Sequence, residues 1–173
     1  MDYQIGPGIK PEELPEWLRR AAKQYGTFDD GRVNYTDAPI APAVMCTLKF
    51  KDKILLAKRA YGLADANGYW SIINGFIDED KPVVDIAAQE FREELSLNID
   101  PKNVKVAPSY KMKSQNEKRQ YIVFPCLVVI DYEPVIKLDR EHTEYRWIDR
   151  ADLENYYILN DLPLVVDAAL SLF

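Results

Sequence analysis

Two spacings of apolar residues alternate along this chain. Val44–Phe50 (VMCTLKF) and Ile54–Arg59 (ILLAKR) are strand-like runs parted by Lys51-Asp52-Lys53, and they predict a hairpin with a short polar turn. Tyr69–Ile73 (YWSII) and Val104–Val106 (VKV) read as further strands. Tyr121–Asp131 (YIVFPCLVVID) reads as a core strand in which Pro125 forces a bulge or an edge position. Helical spacing appears first from Pro15 to Gly26, where Leu14, Trp17, Leu18, Ala21 and Tyr25 share one side. A turn and a short strand around Arg32–Tyr35 follow, so residues 1–40 are expected to form an extension packed on the main domain, residues 41–173. Two short helices are expected at the end, over 151–157 and 162–173, the last burying Val165, Val166, Ala169, Leu170 and Phe173.

The strongest helical signal begins at or just after Pro82, a residue suited to a first turn because its missing N–H has no partner there to lose. Val84, Ala87, Ala88, Phe91 and Leu95 form an apolar stripe that must pack on a core. Glu90, Glu93 and Glu94 gather on a neighbouring face, where like charges repel. An exposed helix tolerates such a face, with Arg92 and Lys81 nearby. Gly75 in the turn ahead, preceded by a strand, changes the picture. Strand, glycine turn and acidic helix together make a cradle for hard divalent cations, which take several oxygen ligands. Strands flanking this helix, with another helix at the end, predict an α+β layered domain.

The segment resembles a Nudix box: G, five residues, E, seven residues, R-E-U, one residue, E-E, one residue, G-U, where U is a bulky aliphatic. Gly75, Glu90-Phe91, Glu93-Glu94 and Leu97 match it, while Lys81, Gln89 and Ser96 stand where the pattern has Glu, Arg and Gly. The resemblance spans about residues 40–150. It implies an α/β/α sandwich with a mixed sheet between helices. It also implies that Glu90, Glu93 and Glu94 hold Mg²⁺, or Mn²⁺ in its place, with the Asn74 carbonyl as a further ligand. The activity implied is metal-dependent hydrolysis of the diphosphate linkage in a nucleoside diphosphate joined to another group. Glu93 and Glu94 are catalytic candidates, and a loop glutamate before the Trp147 strand joins the site or acts as base in such proteins; Glu144 is preferred here to Glu141. Loss of both the Glu and the Arg of the pattern at 81 and 89 avoids stranding one charge without its partner. It also keeps a second reading open, a catalytically weak or inactive module that senses a nucleotide. An isomerase acting on a prenyl diphosphate is a third, but the Cys and Glu it needs are not evident. The proline that follows the box in many ADP-ribose hydrolases is not at the matching place after Leu97.

Composition narrows the partners. Apolar residues make up 47% and charged residues 29%, as in an ordinary soluble domain. A net charge of −6 argues against general nucleic-acid binding, while local basic patches can still grip a small phosphorylated ligand, which the resemblance implies is a nucleotide. Arg59, Lys81 and Lys111 are the candidate phosphate contacts, the last within a basic polar segment, residues 108–120. Tyr110 or Tyr121 could stack on a base, although core burial is commoner. Cys46 and Cys126 sit in apolar runs and read as buried free thiols. His142, in a polar loop, is expected to be exposed. No apolar run reaches membrane-spanning length, so a cytoplasmic protein is expected, with no membrane partner. The residues leave the oligomeric state open, dimers being common in the family.

Overall fold

The computed structural model describes residues 4–64, 66–113 and 119–173. In chain order these form β1 (Gln4–Pro7), α1 (Leu14–Tyr25), β2 (Ile40–Phe50), β3 (Lys53–Arg59), β4 (Trp70–Ser71), β5 (Ile73–Phe76) and α2 (Val83–Leu95). There follow β6 (Val104–Val106), β7 (Tyr110–Lys113), β8 (Gln120–Ile130), β9 (His142–Asp149) and α3 (Leu162–Leu170). The strands join one mixed sheet: β1, β7, β8, β2, β3 and β4 run side by side, β5 pairs with β2, β6 with β8 and β9 with β3. The long β2–β8 pair is parallel and the other pairs are antiparallel. α1 and α2 cover one face and α3 the other, each over its own apolar cluster, which makes the α/β/α sandwich.

Several local expectations change. The 69–73 run breaks at Ile72 into β4 and β5, which pair with different neighbours. The segment at 32–35 forms no strand; Val33 makes a single bridge to Thr27. Residues 150–155 form a 3-10 turn instead of a helix. Phe173 is 74% exposed, beyond the end of α3, with Lys49 Nζ 4.2 Å from its ring. Pro125 neither bulges its strand nor sits at an edge. Its carbonyl accepts from Ala107 N at 2.9 Å, and in a strand the N and O of one residue point the same way. The missing N–H therefore faces the gap between β6 and β7, where no ladder bond is lost.

What positions the site is the β5–α2 turn and the loop from β8 to β9. Pro82 caps α2 with extended backbone, and its carbonyl accepts from Asp85 and Ile86. The buried face of α2 is Val83, Ile86, Ala87, Ala88, Phe91 and Leu95, a broader stripe than expected, with Glu94 buried among them. At the far end Leu97 N bonds Phe91 O, and Ser96 takes a left-handed φ of 57°. The β8–β9 loop then satisfies carbonyls that the helix end leaves open: Lys137 N donates to Leu95 O at 3.0 Å and Asp139 N to Glu94 O at 3.1 Å. From the other side, Val33 N donates to Asp78 O and the Tyr35 hydroxyl to Ile77 O, bracing the turn ahead of α2.

Candidate functional site

A cleft of about 1130 Å³ opens beside Asn74–Phe76 of β5 and the face of α2 that carries Ile86, Gln89, Glu90, Glu93 and Glu94. One end is acidic and lined by Asp78, Glu90, Glu93, Glu94, Asp139 and Glu141; the other is largely apolar, with Met45, Met112, Tyr121 and Val123 from the sheet. Glycine at position 75 leaves room for the Glu90 carboxylate, since a Cβ there would stand 2.2 Å from its carboxyl carbon. The backbone of β5 is thus the floor on which that carboxylate rests. Burial, then Glu93, Asp78 and Glu141, push Glu90 up to about 8, against the pull of Arg32. Burial, with Glu90, Asp139 and Glu141, also pushes Glu94 well above the ordinary carboxylate range, and Arg59 opposes it.

The two departures at 81 and 89 meet in space. Lys81 Nζ lies 2.8 Å from Glu79 and 3.3 Å from Gln89 Oε1, and the Gln89 amide donates to Glu93 Oε1 at 2.8 Å. The amide and ammonium thus keep position 89 linked to position 81, and one Glu93 oxygen is tied into that chain.

His142 overturns its expected exposure: it is 5% exposed and starts β9. Its Nδ1 lies 2.8 Å from Asp139 Oδ1, and its Nε2 faces Glu94 Oε2 at 3.8 Å. Nε2 and Oε2 are both buried without a hydrogen-bond partner among the described residues. A buried polar atom left in that state costs about 1–3 kcal/mol.

Other candidates separate. Glu144 lies on β9 opposite Lys58, accepts from Arg146 at 2.7 and 3.0 Å, and lines a second, shallower pocket with Trp70 and Tyr156. Glu144 thus lies outside the cleft: the register shift between the Lys58–Glu144 and Arg59–His142 pairs puts it on the opposite face from His142, and Glu141 is the loop glutamate in the cleft lining. Arg59 lines the cleft. Lys81 stands outside its lining, held by Glu79 and Gln89. Lys111 is also outside it, because Met112 next to it on β7 is the residue that faces inward. Tyr110 is buried in the α3-side core, while Tyr121 lines the cleft with its ring stacked on Phe76. Of the basic segment, Lys111 and Lys113 are on β7, and Lys118 lies outside the described residues. Sequence reading missed Asp78, Asp139, His142 and the lining contributed by Arg32 and Thr36–Pro39. The spacing Asp139, Glu141, His142 before the Trp147 strand was the one available signal.

The donors suit a hard divalent cation: six carboxylates at one cleft end, two driven up by burial and mutual repulsion, and one with a buried oxygen lacking a partner. Among the described residues no three of these groups are already drawn in around one point.

A mixed-sheet α/β/α domain with a glycine turn and a carboxylate-bearing helix at a cleft defines the class. The chain belongs to the Nudix family: the model described as NUDIX domain matches residues 39–166. Solved structures share the fold. The MutT protein of Methanosarcina mazei Go1 is 19% identical, with a TM-score of 0.60 over 73% of this chain and 88% of that one. The NUDIX domain of Shewanella oneidensis NrtR, complexed with ADP ribose, is 16% identical, with a TM-score of 0.64 over 76% and 86%. A C. elegans Ap4A hydrolase is 15% identical, with a TM-score of 0.61 over 77% and 96%. No curated protein matches the sequence. Among the described residues no helix is long and apolar enough to cross a membrane.

Proposed function

We propose that this protein is a divalent-metal-dependent hydrolase that cleaves the diphosphate linkage of a nucleoside diphosphate joined to another group. One observation carries the reading. Glu90, Glu93 and Glu94 of a single helical turn share an acidic cleft end with Glu141, over a glycine that leaves room for the Glu90 carboxylate. These side chains would hold Mg²⁺ or Mn²⁺, which screens diphosphate charge and acidifies water when bound. Glu141 takes the proton of the attacking water as its oxygen bonds phosphorus and the bridging P–O bond breaks. Arg59 meets phosphate oxygens from the cleft wall. The products are a nucleoside monophosphate and a phosphorylated remainder. Lys81 and Lys111, outside the cleft lining, are left out of the phosphate site.

Turnover of a panel of nucleotide sugars, dinucleotides and nucleoside triphosphates with Mg²⁺ or Mn²⁺ tests this. Hydrolysis is expected, with Glu93→Gln and Glu94→Gln each losing it; activity untouched by either substitution would refute the site. The second reading is a nucleotide sensor, favoured by the Gln89–Glu93 hydrogen bond that engages one of the ligand carboxylates. Tight nucleotide binding without turnover would select it. The net charge of −6 and the two buried free thiols, Cys46 and Cys126, support a cytoplasmic protein that binds no nucleic acid in general. A homodimer is in keeping with the family.

A further inference from the structure

We propose that His142 is the positioning residue for Glu94, setting which way that carboxylate turns as it takes up a divalent cation. The inference rests on the metal-site reading above and assigns a role to the one buried imidazole that this reading does not use. The side chains of His142 and Glu94 are 1% and 8% exposed. Each presents the other with a polar atom that no described group satisfies, Nε2 and Oε2, 3.8 Å apart. That gap is longer than a hydrogen bond and too short for a water to stand between them. Two such atoms facing each other in a dry interior call for an explanation.

The ring itself is held firmly. Asp139 Oδ1 sits 2.8 Å from Nδ1, and a carboxylate only accepts, so the Nδ1 proton points there and Nε2 is fixed toward Glu94. Asp139 is fixed in turn: its N–H donates to Glu94 O at 3.1 Å, and Glu141 N donates to its Oδ1 at 3.2 Å. Asp139 from its own loop and Glu94 from α2 thus flank the imidazole, Arg59 is its cross-strand partner on β3, and backbone bonds tie the loop to the end of the helix. A glutamate's last torsion is soft. With one proton on Nδ1, the ring orients an ionised Glu94 in the form that carries a second proton, where Nε2–H donates to Oε2 and leaves Oε1 for the cleft. Carboxylates that bind metals are characteristically oriented by hydrogen-bonding groups behind them, and loss of such a group weakens metal affinity about 10–100-fold.

His142 is the only histidine in the chain, so the wild-type protein gives one pair of imidazole ¹⁵N resonances. At fixed pH, saturation with Mg²⁺ is expected to shift Nε2 and to leave Nδ1 nearly in place. Two variants separate the ring's two edges. His142→Gln restores a polar atom near the Nε2 position, and His142→Asn restores one only near Nδ1. His142→Asn is expected to weaken Mn²⁺ binding, read by electron paramagnetic resonance, about ten-fold or more. It should also lower kcat with little change in the KM for nucleotide, while His142→Gln recovers most of both. An unmoved Nε2 resonance in Mg²⁺-saturated protein, or equal losses in the two folded variants, overturns the positioning role alone. Wild-type protein that binds neither ion overturns the metal-site reading, and this inference with it.

Discussion

At the residue scale, two positions report on the site. At Gly75 an added methyl would meet the Glu90 carboxylate, the far end of a side chain that can swing aside. Gly75→Ala is expected to leave the melting temperature close to wild type while weakening Mn²⁺ binding about ten-fold or more, the scale of a disturbed ligand set. Equal Mn²⁺ titrations for the two proteins would refute that. Glu90 itself predicts a pH dependence. Its carboxyl rises from 4.5 to about 8 on folding, so between those values the folded protein holds a proton that the unfolded chain has released. Stability of metal-free protein in EDTA should accordingly fall as pH climbs from about 4.5 to about 8, then level off. A cation that replaces the proton reverses this, so the rise in melting temperature with Mn²⁺ should be larger at pH 8 than at pH 6. A rise that shrinks with pH would mean that Glu90 is not where the ion binds.

At the scale of elements, α2 was legible because its 3.6-residue period, proline start and clustered acids are all local. The hairpin of β2 and β3 was legible for the same reason. What the sequence hid is set by tertiary partners. Glu141 and Glu144 differ only in which way the chain turns as it enters β9, and that depends on the loop docking on the end of α2. His142 looked polar and loop-borne, yet Asp139 and Glu94, three residues and one helix away, bury it. The termination of α2 also carries a prediction. Ser96 takes φ 57° where the family pattern has glycine, and a side chain in that left-handed region costs roughly 1–2 kcal/mol. Ser96→Gly should raise unfolding free energy by about 1 kcal/mol in urea titrations, with an unchanged slope.

At the scale of the molecule, the question is whether residues 1–40 are an appendage or part of the folding unit. Leu14, Leu18 and Ala21 of α1 are buried in the same cluster as Ala87, Phe91 and Leu95 of α2, with Val33 and Tyr35 between. β1 extends the sheet beyond β7, and the Tyr35 hydroxyl bonds Ile77 O at 2.7 Å, inside the turn that leads to the carboxylate helix. Thr36–Pro39 then form one wall of the cleft. If these contacts join one cooperative unit, a cavity made under α1 must weaken the whole molecule. Leu18→Ala, at a 5% exposed position, is expected to cost about 2–5 kcal/mol. The three tryptophans lie in α1, β4 and β9, at Trp17, Trp70 and Trp147, so fluorescence samples the extension and both sides of the sheet. Fluorescence and far-ultraviolet dichroism of the variant should therefore shift together to one lower midpoint. A first step confined to part of the fluorescence change, with the dichroism transition left near the wild-type midpoint, would show that α1 unfolds by itself and that the cleft wall is a separable strap.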